Sequence, residues 1–278
     1  MFQANLLRDK RILITGGGTG LGKSMGRRFL ELGARLTICG RRAEVLAEAK
    51  AEFDAAFGER TATYPCDIRD PAAVEAMIGA LWDDQGGLDI LVNNAAGNFV
   101  ARTESLSPRA VDAVLAVVLH GTAYVTLACG RRWIAARHPA TVLSIIATYA
   151  ETGSPFVVPS AMAKAGVLAL TRSLAVEWGG KGIRLNAIAP GPFPTPGAWQ
   201  RLVPTAAVEE AWRRRIPMGR FGEHQELTDL AAFLVSDRAG FINGEAVVID
   251  GGEWLKGAGQ FSLLEDLSED DWAEMRRR

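Results

Sequence analysis

Two stretches of this chain hold residue types whose spacing suits chemistry. The first, TGGGTGLG at 15–22, lies between the apolar run RILIT and a helical pattern. Gly16, Gly20 and Gly22 let the backbone turn tightly there and approach a pyrophosphate, whose charge is favoured at a helix N-terminus. A glycine loop alone also fits an ordinary tight turn, but its place after the first strand of an alternating chain points to a dinucleotide. The second, SIIATYAETGSPFVVPSAMAKAG at 144–166, brings in Lys164 near the start of a helix, with Ser160 four residues before it. The nearest upstream tyrosine, Tyr149, is fifteen residues back. A cation and hydroxyl donors of this kind can stabilise negative charge that develops on a substrate oxygen.

The second apolar run bears on which dinucleotide binds. A NAD site places an acidic side chain near the end of that strand for the ribose 2′-hydroxyl. Here the stretch reads TICGRR, and no carboxylate follows until Glu44. Arg41 and Arg42 offer planar, permanently charged donors to a 2′-phosphate, which favours NADP(H). The alternative is a solvated arginine pair before a helix.

The elements that must position these groups alternate along the chain. Residues 11–15, 35–39, 62–66, 88–92, 141–146, 183–188 and 246–250 read as strands, and their near-continuous apolar character suits a sheet covered on both faces. Amphipathic stretches lie between them, such as the one closed by Gly33 and the one opened by Asp70 and Pro71. The expected fold is α/β, a doubly wound seven-stranded parallel sheet with helices on both faces. No linker or repeat divides it, so residues 1–278 read as a single domain. The Pro- and Gly-rich segment 190–222 follows a strand and suits a substrate lid. The tail, 255–278, ends with Ser268 and Asp271 at capping spacing for a last helix.

Composition narrows the function. A net charge of −1 gives no reason to expect nucleic acid or an anionic membrane surface as partner. Cys39, Cys66 and Cys129 and the three histidines are scattered without ligand spacing, so no metal site is expected. The thiols suit a reducing compartment. The first fifteen residues lack the pattern of a signal peptide, and no run approaches the roughly 18 apolar residues that span a bilayer. A cytoplasmic protein is expected.

With these motifs in order, the chain resembles the short-chain dehydrogenase/reductase family, of Rossmann type, over nearly its whole length. TGGGTGLG matches the family's cofactor loop, CDIRD its adenine-contacting Asp67, NNAAG at 93–97 its strand-4 motif, and the PG pair at 190–191 its nicotinamide-side loop. The resemblance implies cofactor contacts from Gly16, Thr19, Gly20, Leu21, Gly22, Arg41, Arg42, Asp67, Ile68, Asn94, Ala95, Lys164, Pro190 and Gly191. Members that reduce ketones use a Ser, a Tyr four before the Lys, the Lys, and a helix-4 Asn. Here those positions hold Ala147, Ser160, Lys164 and His120. Only the Lys is kept, which disfavours a simple alcohol dehydrogenase.

NNAAGNF, YAETG, FVVPSAMAKAG and PGPFPTPGAWQRL are similar to the branch that reduces 2,4-dienoyl-CoA with NADPH, and the tail GQFSLLEDLSEDDW shares the likeness. That branch places its active Tyr fifteen residues before the Lys, which implies Tyr149, Asn98, Lys164 and Ser160 as the catalytic set. Tyr149 and Asn98 would donate to the thioester oxygen, Lys164 would bond the nicotinamide ribose, and Ser160 would orient that Lys or the ribose. Plainer readings stand beside these: a rim aromatic for Tyr149, a turn for Asn98, a helix cap for Ser160, and packing within helix 4 for His120. WRRR at 212–215 and Arg220 could meet the CoA phosphates or form a solvated face. The resemblance also implies an acyl-CoA substrate and a homotetramer paired through helices near 108–137 and 159–179. A 3-oxoacyl thioester reductase and a non-catalytic NADP(H)-binding protein are the competing functions.

Overall fold

The computed structural model describes residues 3, 5–196, 199, 203 and 205–277. Seven strands form one parallel sheet: β1 (Arg11–Thr15), β2 (Arg35–Gly40), β3 (Thr61–Pro65), β4 (Ile90–Asn93), β5 (Ala140–Ile145), β6 (Ile183–Pro190) and β7 (Ala246–Ile249). Their order is β3-β2-β1-β4-β5-β6-β7. The direction of winding reverses between β1 and β4, where Ile12 pairs with Ile90 and Ile14 with Val92. Crevices at such reversals, beyond the carboxyl ends of the strands, are where ligands bind.

The apolar runs of the inner strands send successive side chains into different cores. Ile12, Ile14, Leu36, Ile38, Ile90, Val92, Leu143 and Ile145 face one layer. It contains Met25 and Phe29 of α1 (Gly20–Glu31), Phe53 of α2 (Ala43–Phe57), and residues of the later helix His224–Val235. Leu13, Cys39, Leu91, Val142 and Leu185 face the opposite layer. There they meet Met77 and Ile78 of α3 (Pro71–Gln85), Trp133 of α4 (Pro108–Ala136) and Trp178 of a helix at Val158–Gly179. The period-2 geometry of strands thus turns continuous apolar runs into two cores.

The helix boundaries follow local chemistry. Asp70 accepts hydrogen bonds from the Ala72 and Ala73 amides at 2.8 and 3.3 Å, with Pro71 in the first turn. Ser107 does the same for α4 through the Ala110 amide. α4 contains a π turn at Ala116–His120. One 18-residue window of α4 has a mean hydropathy of 1.7, so by length and composition it could cross a bilayer, contrary to the expectation that no run approaches this. Half of that window is buried in the fold, because Val125, Ala128, Cys129 and Trp133 pack on the sheet layer.

The remaining helices are α5 (Tyr149–Thr152), α6 (Val158–Gly179), α7 (Ala206–Arg215), α8 (His224–Val235), α9 (Glu253–Ala258) and α10 (Glu269–Arg277). Of the expected lid, residues 197, 198, 200–202 and 204 lie outside the described residues. In the tail, Ser268 Oγ accepts from the Asp271 amide while Asp271 accepts from the Ser268 amide, the reciprocal cap that the spacing predicts.

Candidate active site

The carboxyl ends of β1 and β4 are tied together by side chains. Thr15 Oγ1 accepts from the amides of Asn94 and Ala95, each at 3.0 Å, and Asn94 Nδ2 donates to the Thr15 and Gly16 carbonyls. α1 is held against this knot. A Cβ on Gly22 would stand 2.4 Å from the Gly16 oxygen and 2.5 Å from Asn94 Nδ2, so no other residue fits without movement. Gly16 itself has a φ of +67°. The result is a helix N-terminus aimed into a cavity of about 1150 Å³.

Gly16, Thr19 and Leu21 line that cavity, whereas Gly20 and Gly22 do not and act by shaping the loop. Thr19 caps α1 without a side-chain bond, and no acidic residue occupies the first turn. The first amides are therefore open to an anion. Arg41 and Arg42 stand exposed on the wall at the end of β2, without an ion-pair partner among the described residues. Asp67 and Ile68 lie beside them on the wall. Arg69 grips the Asp67 carboxylate at 2.9 and 3.0 Å and holds its pKa below the usual range, with a further contribution from Arg41. Amides open to phosphate, unpaired arginines and an acceptor at Asp67 together fit a dinucleotide. Asn94, Ala95, Pro190 and Gly191 complete that side of the wall. His224 bridges Ser24 Oγ of α1, at 2.7 Å, to the Pro194 carbonyl, at 2.8 Å, and so ties the loop after β6 to the cofactor helix.

The chemical groups sit across the cavity, on α5, α6 and the loop after β4. Tyr149 OH and Ser160 Oγ are 3.0 Å apart, although they stand on different helices. Burial pushes the Tyr149 phenol up, opposed by the Ser160 bond, so it stays a neutral donor. Ser160 is 2 % exposed and is not on the wall. It is thus the partner of Tyr149, where the expectation was that it orients Lys164 or the ribose. Lys164 donates to the Ile145 carbonyl at 2.5 Å, and burial pushes its pKa down to about 8. Asn98 Oδ1 accepts from the Phe99 amide at 2.9 Å, which fixes the side chain and leaves Nδ2 as a donor on the wall. The turn reading and the donor reading of Asn98 therefore hold together.

His120 ends the π turn exposed, with its ring 6.1 Å from that of Tyr124 and off the cavity wall. Its packing within the helix is limited to that ring contact, and it does not reach the cavity. Among the described residues, no group of acidic, His and Cys side chains could hold a metal.

One wall is new to the sequence reading. Trp199, Trp212, Glu253 and Trp254 line the cavity from the lid and α9. Trp199 and Trp212 stack at 5.6 Å with planes 10° apart, and Phe221 sits edge-on to both. The contributing residues lie up to fifty-five positions apart (199 to 254), so no local pattern marks them. The basic run behaves largely as a solvated face: Arg213 pairs with Glu209 and Glu210, and Arg220 with Glu226. Only Arg215 of that run reaches the wall.

Comparison with known proteins agrees with this geometry. Residues 16–253 match the model of a family described as enoyl-(acyl carrier protein) reductase. The chain is 43 % identical over 250 residues to a probable 2,4-dienoyl-CoA reductase [(2E)-enoyl-CoA-producing] of Bacillus subtilis, covering 90 % of this chain and 98 % of that one. It is 42 % identical to a probable 2,4-dienoyl-CoA reductase 3 [(3E)-enoyl-CoA-producing] of Caenorhabditis elegans, covering 97 % and 89 %. A crystal structure of a short chain dehydrogenase from Bacillus anthracis superposes with a TM-score of 0.81 at 41 % identity, covering 88 % and 96 %. With the glycine loop at the β1–β4 crevice and Lys164 on α6, these matches establish that the chain belongs to the short-chain dehydrogenase/reductase family.

Proposed function

We propose that this oxidoreductase reduces a conjugated enoyl thioester with NADPH, with 2,4-dienoyl-CoA as substrate and 3-enoyl-CoA as product, in the oxidation of unsaturated fatty acids. The observation that carries the reading is the Tyr149–Ser160 pair. The hydroxyl donor comes from a tyrosine outside the usual position, and the residue in that position supports it. The relatives named as dienoyl-CoA reductases favour the same substrate.

Arg41 and Arg42 would hold the 2′-phosphate, the first amides of α1 the pyrophosphate, and Asp67 the adenine. NADPH held by these residues would supply the hydride, taken up at the far end of the diene. Tyr149 OH and Asn98 Nδ2 serve as donors for the thioester oxygen, where the displaced electron density collects. Each such donor contributes about 3 kcal/mol to lowering the barrier. With its single proton committed to the thioester oxygen, the Tyr149 phenol accepts from Ser160 Oγ, which fixes its direction. Lys164 holds positive charge beside the ribose site, anchored by the Ile145 carbonyl. Burial pushes the Tyr149 phenol up, which favours its protonated form as a donor to that oxygen. Solvent water then returns a proton to the α-carbon, giving the 3-enoyl thioester. The two relatives are named for different products, so the position of protonation is itself an outcome to measure.

We also assign the protein to the cytoplasm as a homotetramer, paired through the exposed apolar residues Leu127 of α4 and Met162 and Val176 of α6. Light scattering at a mass other than four chains would remove that assignment.

The test is loss of NADPH absorbance with a trans-2,trans-4-dienoyl-CoA, set against acetoacetyl-CoA. Wild type should consume NADPH with the diene only, and Tyr149→Phe should lose most of that rate. Turnover of the ketone instead would make the protein a carbonyl reductase. NADPH binding without turnover of either compound would favour a non-catalytic role.

A further inference from the structure

The aromatic wall has no part in the steps above, yet the indole N–H groups of Trp199 and Trp212 are satisfied. Trp199 Nε1 donates to Glu209 at 3.2 Å, and Trp212 Nε1 donates to Glu253 at 2.8 Å. Glu253 is half-buried, and that burial raises its carboxyl pKa against the bond from Trp212. A carboxylate kept in such a place holds something in position. What it holds is Trp212, whose ring is stacked on Trp199 and met edge-on by Phe221.

The chemistry of this wall decides which part of a thioester it would meet. Arg215 stands 3.9 Å from the Glu253 carboxylate, and Arg213, 5.2 Å over the Phe221 ring, is paired with Glu209 and Glu210, so these cations offer little net positive charge to the phosphates of CoA. The pantetheine arm carries two amides that need polar partners, but the polar groups of the two indoles are already paired. What remains is a flat aromatic surface flanked by Val208 and Ala211. Such a surface suits an apolar, extended chain.

We infer that Trp212 is a specificity-determining residue that contacts the acyl chain of the substrate, and that Glu253 is its positioning residue. The inference rests on the thioester reading above. Its consequence is graded: methylenes laid on the wall strengthen binding, so kcat/KM rises from hexadienoyl- to decadienoyl-CoA.

The experiment compares that rise in wild type, Trp212→Ala, Glu253→Leu and Glu253→Gln. In wild type the decadienoyl thioester should be favoured by about tenfold or more, and Trp212→Ala should flatten the difference. Glu253→Leu, which removes the acceptor, should flatten it as well, mainly through KM. Glu253→Gln, which keeps a carbonyl oxygen for the indole, should retain it. A merely structural role for Glu253 would give Gln and Leu the same profile, and that result overturns the positioning assignment. An unchanged slope in Trp212→Ala, or no slope in wild type, overturns the wall. Calorimetric binding of hexanoyl- and decanoyl-CoA in the presence of NADP+ reads the same preference without turnover. A chain-length preference in binding that is lost in Trp212→Ala supports the wall even if no dienoyl thioester is reduced, in which case the proposed reaction alone fails.

Discussion

At the glycine-loop end the cavity is bounded mostly by backbone, with Gly16, Thr19 and the open amides of α1 set against the ends of β1 and β4. At the α7–α9 end it is bounded by large side chains, of which Trp199 and Trp212 are each held by a bond to a glutamate on another element or turn. The first construction tolerates almost no added atom, because its shape comes from chain approaching chain. The second is a set of flat surfaces that can be resized one residue at a time. A fixed phosphate-bearing ligand suits the rigid end, and a ligand of variable length suits the adjustable one.

Breaking the rigid end should have the largest effect. Gly22→Ala places a Cβ 2.4 Å from the Gly16 oxygen, so α1 must move, and kcat/KM for NADPH should fall about 100-fold. A fall below about threefold would mean that the loop adapts as readily as the aromatic wall. Next, removing both Arg41 and Arg42 should raise the KM for NADPH by about tenfold or more and leave that for NADH nearly unchanged. Parallel changes for both cofactors would take the 2′-phosphate away from this pair. Smaller again, Ser160→Ala should lower kcat by roughly threefold to tenfold, the size of one hydrogen bond, with NADPH affinity preserved. An equal loss of NADPH affinity would return Ser160 to the ribose side.

The smallest effect concerns Lys164 and pH. Its pKa in the fold is about 8, against an ordinary value of 10.5. Between these values the unfolded chain holds a proton that the folded chain has released, so this group makes stability rise with pH across that window. The rise in melting temperature from about pH 8 to about pH 10 should therefore shrink in Lys164→Met. A variant with the wild-type slope would show that the cation is better solvated than its burial suggests.

Much of the rigid end was legible in the sequence because backbone constraints are local. Gly16, Gly22 and Asp70 act on neighbours a few residues away or on an adjacent strand, and the strands begin and end within two residues of the apolar runs. The partner of Ser160 was not legible, since the chain between α5 and α6 decides which side chain its hydroxyl meets, and there Phe156 takes a left-handed φ of +65°. The aromatic wall escaped for the same reason on a larger scale. Its residues join only after β7 brings α9 back to α7, where Trp212 meets Glu253. The π turn at Ala116–His120 escaped too, because it leaves no mark in residue type.

That turn has a mechanical consequence. On a regular α-helix, residues seven apart share a face, yet Val118 packs with Val114 and Ala163 while Val125 packs with Cys129 and Trp133 in another core. The extra residue in the turn Ala116–His120 works like an offset between two cams on one shaft, and it lets α4 press on α6 with its first half and on the sheet with its second. Deleting one residue of the turn would close it to a regular α turn and leave Trp133 in its slot over Leu88, whereas deleting one from the regular helix after it would rotate Trp133 by about 100° out of that slot.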